Sequence, residues 1–339
     1  MRTGDEVAAS TRGGQVGDQV VGTPLMHASI LPHMAASVIA SVVLNDMDRT
    51  ALAAHGFRSW MLQEFSSPYE VVINLFNDQE QTFQRLSEDR NPLCRPVIRT
   101  FPRPSFFNIS AANNLGLHQS SGEYVLFCGS DVIFPSSYLG TVTDELRRRD
   151  ISYVDGLRID LGEARTKALG VPSGYFRAAN YDSLVSSELG TRPGGVCNWI
   201  VRRDVARAIG GFDPLLLCYE DADFNDRVSH YLRRTGAQKI TYTLSSILGY
   251  HLHHEASELY SAAGQSKAIC KARRQRLFED EASVADVVPT RLDAIDDLMA
   301  TLANTPPPPW SLRGAKGLGW LRSIYRRTRA ATRAFARPL

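Results

Sequence analysis

Residues 122–131 read Gly122-Glu123-Tyr124-Val125-Leu126-Phe127-Cys128-Gly129-Ser130-Asp131. Five consecutive apolar residues with turn-forming glycines on either side specify a short strand buried on both faces. Asp131 follows almost at once. In an open α/β sheet, ligands bind outside the carboxyl ends of the strands. A carboxylate there can hold a hard cation such as Mg2+ or Mn2+ against a diphosphate. The same position also suits a turn aspartate bonded to its own backbone.

Upstream, Ser37 to Leu44 (SVIASVVL) is another β-branched run, stopped by Asn45-Asp46. Ala51 to Phe65 places Leu52, Phe57, Trp60, Met61 and Leu62 at roughly helical spacing, and Tyr69 to Leu75 (YEVVINL) follows as a strand. Strand, helix, strand predicts parallel pairing. A helix is expected around Asn108 to Gln119. Downstream, Ser152 to Ile159 predicts a strand, and residues 161–193, rich in Gly, Ser and Tyr, a loop-dominated segment that contacts substrate. Arg203 opens a helix that Gly210-Gly211 should end, because a glycine past the last turn takes the left-handed conformation cheaply. A helix over 221–234, a strand over 239–244 and helical structure beyond 265 complete the pattern. The chain is thus expected to be α/β, with a mixed, mostly parallel sheet flanked by helices.

At 339 residues and 43% apolar, the chain can fill a large core, which excludes wholesale disorder. Its 38 basic and 36 acidic residues leave no nucleic-acid footprint in the overall charge. The distribution is uneven, since residues 301–339 hold eight Lys/Arg and no Asp/Glu. Five widely spaced cysteines without a C-x-x-C pair argue against a disulfide framework and a thiolate zinc site, and for a reducing cytoplasm. The uncharged run from Gln19 to Asn45 is broken by Gly22, Pro24, His27, Pro32 and His33, so no membrane span is expected. No secretory signal is expected either.

Two further groupings carry chemistry. Tyr219-Glu220-Asp221-Ala222-Asp223 opens a helix just after Gly210-Gly211-Phe212-Asp213. Capping and the helix dipole account for at least one of these acids. They do not easily account for three, and a carboxylate held there could accept a proton from a substrate hydroxyl. The histidines of His251-Leu252-His253-His254 converge differently by conformation: His251 with His253 if extended, His251 with His254 in a turn. With a carboxylate, either pair suits a divalent metal.

In order and in motif, the chain resembles the family 2 glycosyltransferases of the GT-A fold over about residues 37–255. The resemblance rests on the opening strand through Asn45, on Tyr69 to Asp78, and on Asn113-Asn114-Leu115-Gly116 with Gly122 to Phe127. It continues through Gly194-Gly195, Arg202-Arg203, Gly210 to Asp213, Glu220 to Asp223, and His251 to His254, which looks like the closing H-x-x-H. Three positions depart from the pattern, all on the donor side. Gly129-Ser130-Asp131 stands where the family has D-x-D, Asn77-Asp78 stands in place of consecutive aspartates, and Asn113 replaces an arginine.

The resemblance implies an inverting transfer of a sugar from a nucleotide-sugar, of the UDP-sugar type, to a hydroxyl of a glycan or lipid-linked acceptor. Asp221 would be the catalytic base, with Glu220, Trp199 and Gly195 at the acceptor. Asn45, Asn74, Asp78, Asn114, Ser130 and Asp131 would line the donor, and Asp131 with His251 would hold a divalent metal, Mn2+ or Mg2+. The missing donor-side acid also motivates an alternative, a catalytically inactive sugar-binding or interaction protein. The acidic, glycine-free Asn45-Asp46-Met47-Asp48 argues against a nucleotidyltransferase, which needs a Gly-rich basic loop after the first strand.

The expected organisation is a flexible leader at 1–36, the GT-A domain at 37–262, a C-terminal helical extension at 263–305 and a basic amphipathic tail at 306–339. In the tail, Leu321, Ile324, Ala331 and Phe335 recur at helical spacing beside a stripe of Arg322, Arg326, Arg329, Arg333 and Arg337. Such a helix suits peripheral contact with the anionic inner face of the cytoplasmic membrane, or packing against the acidic body of the chain.

Overall fold

The computed structural model describes residues 37–104, 107–170, 181–182, 195–214, 216, 218–236, 248–254 and 263–279. The leader, the strand expected over 239–244 and the basic tail lie outside the described residues. So does most of the loop expected over 161–193.

Strands β1 (Ala40–Asp46), β2 (Tyr69–Leu75) and β4 (Tyr124–Cys128) form the parallel centre, with β1 between the other two. Every residue of the three is buried. Alternate side chains enter opposite layers: Val42, Leu44 and Leu126 pack with helix α1 (Thr50–Met61), whereas Val43, Val125 and Phe127 pack with Leu117 of α3 (Ile109–Gln119). Covering both faces explains why these strands read as unbroken apolar runs. Asn108 caps α3, its side chain accepting from the Ala111 N–H at 3.0 Å.

Elements with and without a clear sequence signal complete the sheet. Helix α2 (Glu80–Leu86) leads to β3 (Cys94–Thr100), which among the described residues pairs with β2 alone and is half exposed. Its sequence, CRPVIRT, mixes charges and a proline, as an edge strand tolerates. Beyond β4 come the two-residue β5 (Val132–Ile133), α4 (Tyr138–Arg148), β6 (Tyr153–Asp160) and α5 (Glu163–Ala168). Then follow β7 (Gly195–Arg202), α6 (Arg203–Ala208), α7 (Glu220–Thr235), β8 (Leu248–His251) and α8 (Ala263–Phe278). The strand order is β3-β2-β1-β4-β7-β6-β8-β5, with β7 antiparallel to both neighbours and β5 antiparallel to β8. The helix begun at Arg203 ends as expected at Gly210 and Gly211, with φ of 78° and 68°. The following Phe212 stacks on Phe224 of α7, centroids 4.2 Å apart, fastening that turn to the helix bearing the acidic run.

Candidate active site

Strand pairing brings the histidines to Asp131. Val132 of β5 pairs with His251 of β8, and the Leu252 N–H donates to the Asp131 carbonyl at 2.8 Å. Asp131 Oδ2 lies 2.9 Å from His254 Nε2 and 3.8 Å from His251 Nε2, and the two imidazole nitrogens are 3.1 Å apart. Adjacent ligands of an octahedral ion with bonds near 2.1 Å stand about 3 Å apart, so one carboxylate and two imidazoles here suit a divalent cation. The carboxylate of Asp160, at the end of β6, lies 2.9 Å from His251 Nδ1. A carboxylate accepts, so His251 Nδ1 donates to Asp160, which fixes the plane of the ring and turns its Nε2 toward the cluster. Of the pairings open in the sequence, the turn is the one formed: His254 joins His251, and His253 is outside the trio.

Burial opposes ionisation of Asp131, but the two imidazoles outweigh it, His254 from hydrogen-bonding distance and His251 from farther off. Its carboxyl is held well below the usual carboxylate range. Arg49, in the turn between β1 and α1, adds an ion pair at 2.9 Å. The loop is also braced sterically. A Cβ at Gly56 of α1 would come within 2.2 Å of the Ser130 carbonyl oxygen, so only glycine lets the helix pass this close. A Cβ at Gly129 would meet Asp131 Oδ1 at 2.8 Å. Gly129 thus leaves that space to the Asp131 carboxylate.

The other donor-side candidates are placed unequally. Asn45, at the end of β1, bridges Asn74 of β2 and Asn113 of α3, amide to amide, at 2.9 and 2.8 Å, and all three are buried. Asn114 is fully buried, donating to the Phe212 carbonyl at 2.8 Å and accepting from its N–H at 2.7 Å. Both ends of its amide thus hold the turn before the acidic run. Asp78 is exposed in the turn after β2, and Ser130 is half-buried beside Asp131.

The acidic run begins with Tyr219 in the left-handed region, φ 61°, a conformation costing an L residue roughly 1–2 kcal/mol. Its three acids have separate fates. Asp223 is buried against Arg227 at 2.8 Å and Arg273 of α8 at 3.2 Å, and Arg273 also pairs with Asp213. Asp221 Oδ1 accepts from the Ala222 N–H at 2.7 Å. Burial, reinforced by the charge of Asp221, pushes the Glu220 carboxyl up to about 7.

Trp199 of β7 sits in register between Phe127 of β4 and Asp155 of β6, and Gly195 starts β7 opposite Arg158. The Tyr153 hydroxyl donates to Asp155 at 2.6 Å. That hydroxyl is pushed well above its ordinary value by burial, then by Asp155 and by Asp221, so Asp221 lies within electrostatic range of β6. Arg49, Asp155, Asp160, Arg227 and Arg273 carry no motif signal. Arg49, in the turn that closes the first strand, and Asp160, directly after the strand expected over 152–159, had positional ones.

No protein-family model and no curated protein matches the sequence. Solved structures match in fold. Staphylococcus aureus (S. aureus) TarS aligns with a TM-score of 0.50 at 16% identity, over 86% of this chain and 50% of its own, so the chain spans about half the length of that protein. TarS 1–349 in complex with UDP-GlcNAc aligns at 0.50 and 16% identity, over 85% and 81% of the two chains. Mannosyltransferase PcManGT from Pyrobaculum calidifontis, in complex with GDP-Man and Mn2+, aligns at 0.46 and 16% identity over 91% and 80%. Among the described residues, no helix is long and apolar enough to cross a membrane. Over most of its length the chain carries the GT-A glycosyltransferase fold.

Proposed function

We propose that the chain is an inverting glycosyltransferase that moves a sugar from a UDP-sugar to a hydroxyl of a glycan or lipid-linked acceptor. The observation that carries the reading is the trio of Asp131, His251 and His254 beyond the carboxyl ends of β1, β2 and β4 in a GT-A sheet. The UDP-GlcNAc bound to TarS 1–349 supports the choice of a UDP-sugar. Two imidazoles beside one carboxylate favour Mn2+ over Mg2+. A divalent ion held by the trio would offset the negative charge that builds on the departing diphosphate.

The chain's own residues supply the rest. Asp160 orients His251. Asp221 takes the acceptor hydroxyl's proton as that oxygen bonds to the anomeric carbon and the diphosphate leaves from the opposite face with the bonding electrons. Glu220 keeps its own proton to about pH 7 and so can donate a hydrogen bond that orients the acceptor. The basic stripe of the tail supports contact with the inner face of the cytoplasmic membrane, where a lipid-linked acceptor would lie.

The test is UDP release from a panel of UDP-sugars by the purified full chain with Mn2+, alongside thermal stabilisation by UDP. Release is expected, reduced on the order of 10²–10³-fold in Asp131→Ala. Stabilisation by UDP without turnover of any donor would favour the inactive binding protein, and release unchanged in Asp131→Ala would remove the metal from the mechanism.

A further inference from the structure

Arg49 has a held backbone and a side chain about a third exposed. Asp46 ties down the turn: its Oδ1 accepts from the Arg49 N–H at 3.0 Å, and its Oδ2 from Thr50 Oγ1 at 2.9 Å and Asn77 Nδ2 at 2.8 Å. From that anchor the guanidinium Nη1 reaches to 2.9 Å from Asp131 Oδ2 and 3.0 Å from His254 Nε2. Those two atoms are themselves 2.9 Å apart. Nη1 therefore caps one edge of the three-atom ligand set, donating to the Asp131 carboxylate and standing beside His254 Nε2, on the side from which a metal would reach both atoms.

A guanidinium stays protonated and has no acceptor to offer. A divalent ion on the trio and Nη1 on the same edge would repel each other and compete for the same two atoms. Against the carboxylates of Asp131 and Asp160, a divalent metal and Arg49 together would leave a net positive charge. A diphosphate reverses that balance, and its oxygens offer the planar, forked pairing that a guanidinium makes best.

We propose that Arg49 is a positioning residue that couples metal binding to the nucleotide. It pairs with Asp131 and His254, yields that edge when a nucleoside diphosphate brings negative charge, and then pairs with the diphosphate. Metal alone consequently binds weakly, and metal with diphosphate tightly. By reciprocity, the metal strengthens nucleotide binding by the same factor. The inference rests on the trio being the donor's metal site.

The full chain can be titrated with Mn2+, reading free ion by electron paramagnetic resonance, with and without UDP, for the wild type, Arg49→Gln, Arg49→Lys and Asp131→Asn. UDP is expected to tighten Mn2+ binding in the wild type on the order of tenfold or more. Arg49→Gln should bind Mn2+ alone more tightly than the wild type and lose most of the gain from UDP. Arg49→Lys, which keeps the charge, should retain much of that gain. Unfolding curves identify any variant that fails to fold, and in that case Arg49→Lys against the wild type carries the comparison. Equal Mn2+ affinity and equal gain from UDP in the wild type and Arg49→Gln would overturn the role of Arg49 while leaving the metal site standing. Mn2+ binding that is the same in the wild type and Asp131→Asn would overturn the metal site, and this inference with it.

Discussion

Asp131 and Glu220 are both withdrawn from solvent, yet their proton affinities move in opposite directions. Asp131 sits among two imidazoles and a guanidinium, and its carboxyl is held below the usual range. Glu220 is half-buried beside another acid, and its carboxyl is pushed up to about 7. Burial acts alike on both, so the neighbours decide the difference. One region is built to stay anionic and hold a cation, the other to keep a proton. Two carboxylates of similar chemistry are thereby given separate tasks by their surroundings.

The sharpest way to break this contrast is at the neighbour of Glu220. Asp221→Asn is nearly isosteric and should lower turnover by a factor on the order of 10²–10⁴ while leaving Mn2+ and UDP binding intact. If Glu220→Gln produced that loss and Asp221→Asn did not, the roles of the two acids would be exchanged.

A smaller effect tests whether the two regions are mechanically separate. Asn114→Leu strips both hydrogen bonds from the Phe212 backbone inside the core. It should cost about 2–4 kcal/mol in denaturant unfolding. Turnover should fall with it, whereas Mn2+ affinity at the Asp131 trio should stay near the wild-type value. Loss of Mn2+ binding in a folded Asn114→Leu protein would show the regions to be one unit.

The smallest effect is a pH dependence. Folded Glu220 keeps its proton to higher pH than the unfolded chain does. The stability this contributes is complete below about 4.5 and is lost as the pH rises toward 7. Glu220→Gln cannot lose a proton, so its stability relative to the wild type should rise by about 1–2 kcal/mol between pH 4.5 and 8, less than the roughly 3 kcal/mol of the full shift because the half-buried side chain is screened by solvent. Parallel stability profiles for the two proteins would show that the burial of Glu220 does not perturb it.

How much of this was legible depended on whether a residue's role is local. The strands β1, β2 and β4 were readable because both their faces are covered, which leaves a continuous apolar run. β3 was not, because an edge strand half in solvent can carry Arg95, Pro96 and Arg99. His251 was expected after a strand and instead lies within β8, whose pairing with β5 is what delivers it to Asp131. Asp131 and Asp221 stood out because an acid after an apolar strand and an acid at a helix start are local patterns. Arg49 and Arg273 did not, and Asp160, though it follows a predicted strand, could not be matched to His251, since their partners lie 82, 50 and 91 residues away in the chain. Asn114 was visible as part of a motif, but its bond to Phe212, 98 residues on, could be seen only in the fold.

The arginine that α8 sends to Asp213 and Asp223 bears on how such a chain can be inherited in pieces. A boundary drawn at residue 262 by sequence pattern passes between these acids and one of their counter-charges. A recombination event that exchanged residues 37–262 without α8 would separate Arg273 from both acids. Breaking a buried ion pair by removing one partner costs about 3–5 kcal/mol, a large share of the stability of an ordinary domain. The acidic run and α8 should therefore travel together in evolution, and a homologue that replaces Arg273 should show a compensating change at Asp213 or Asp223.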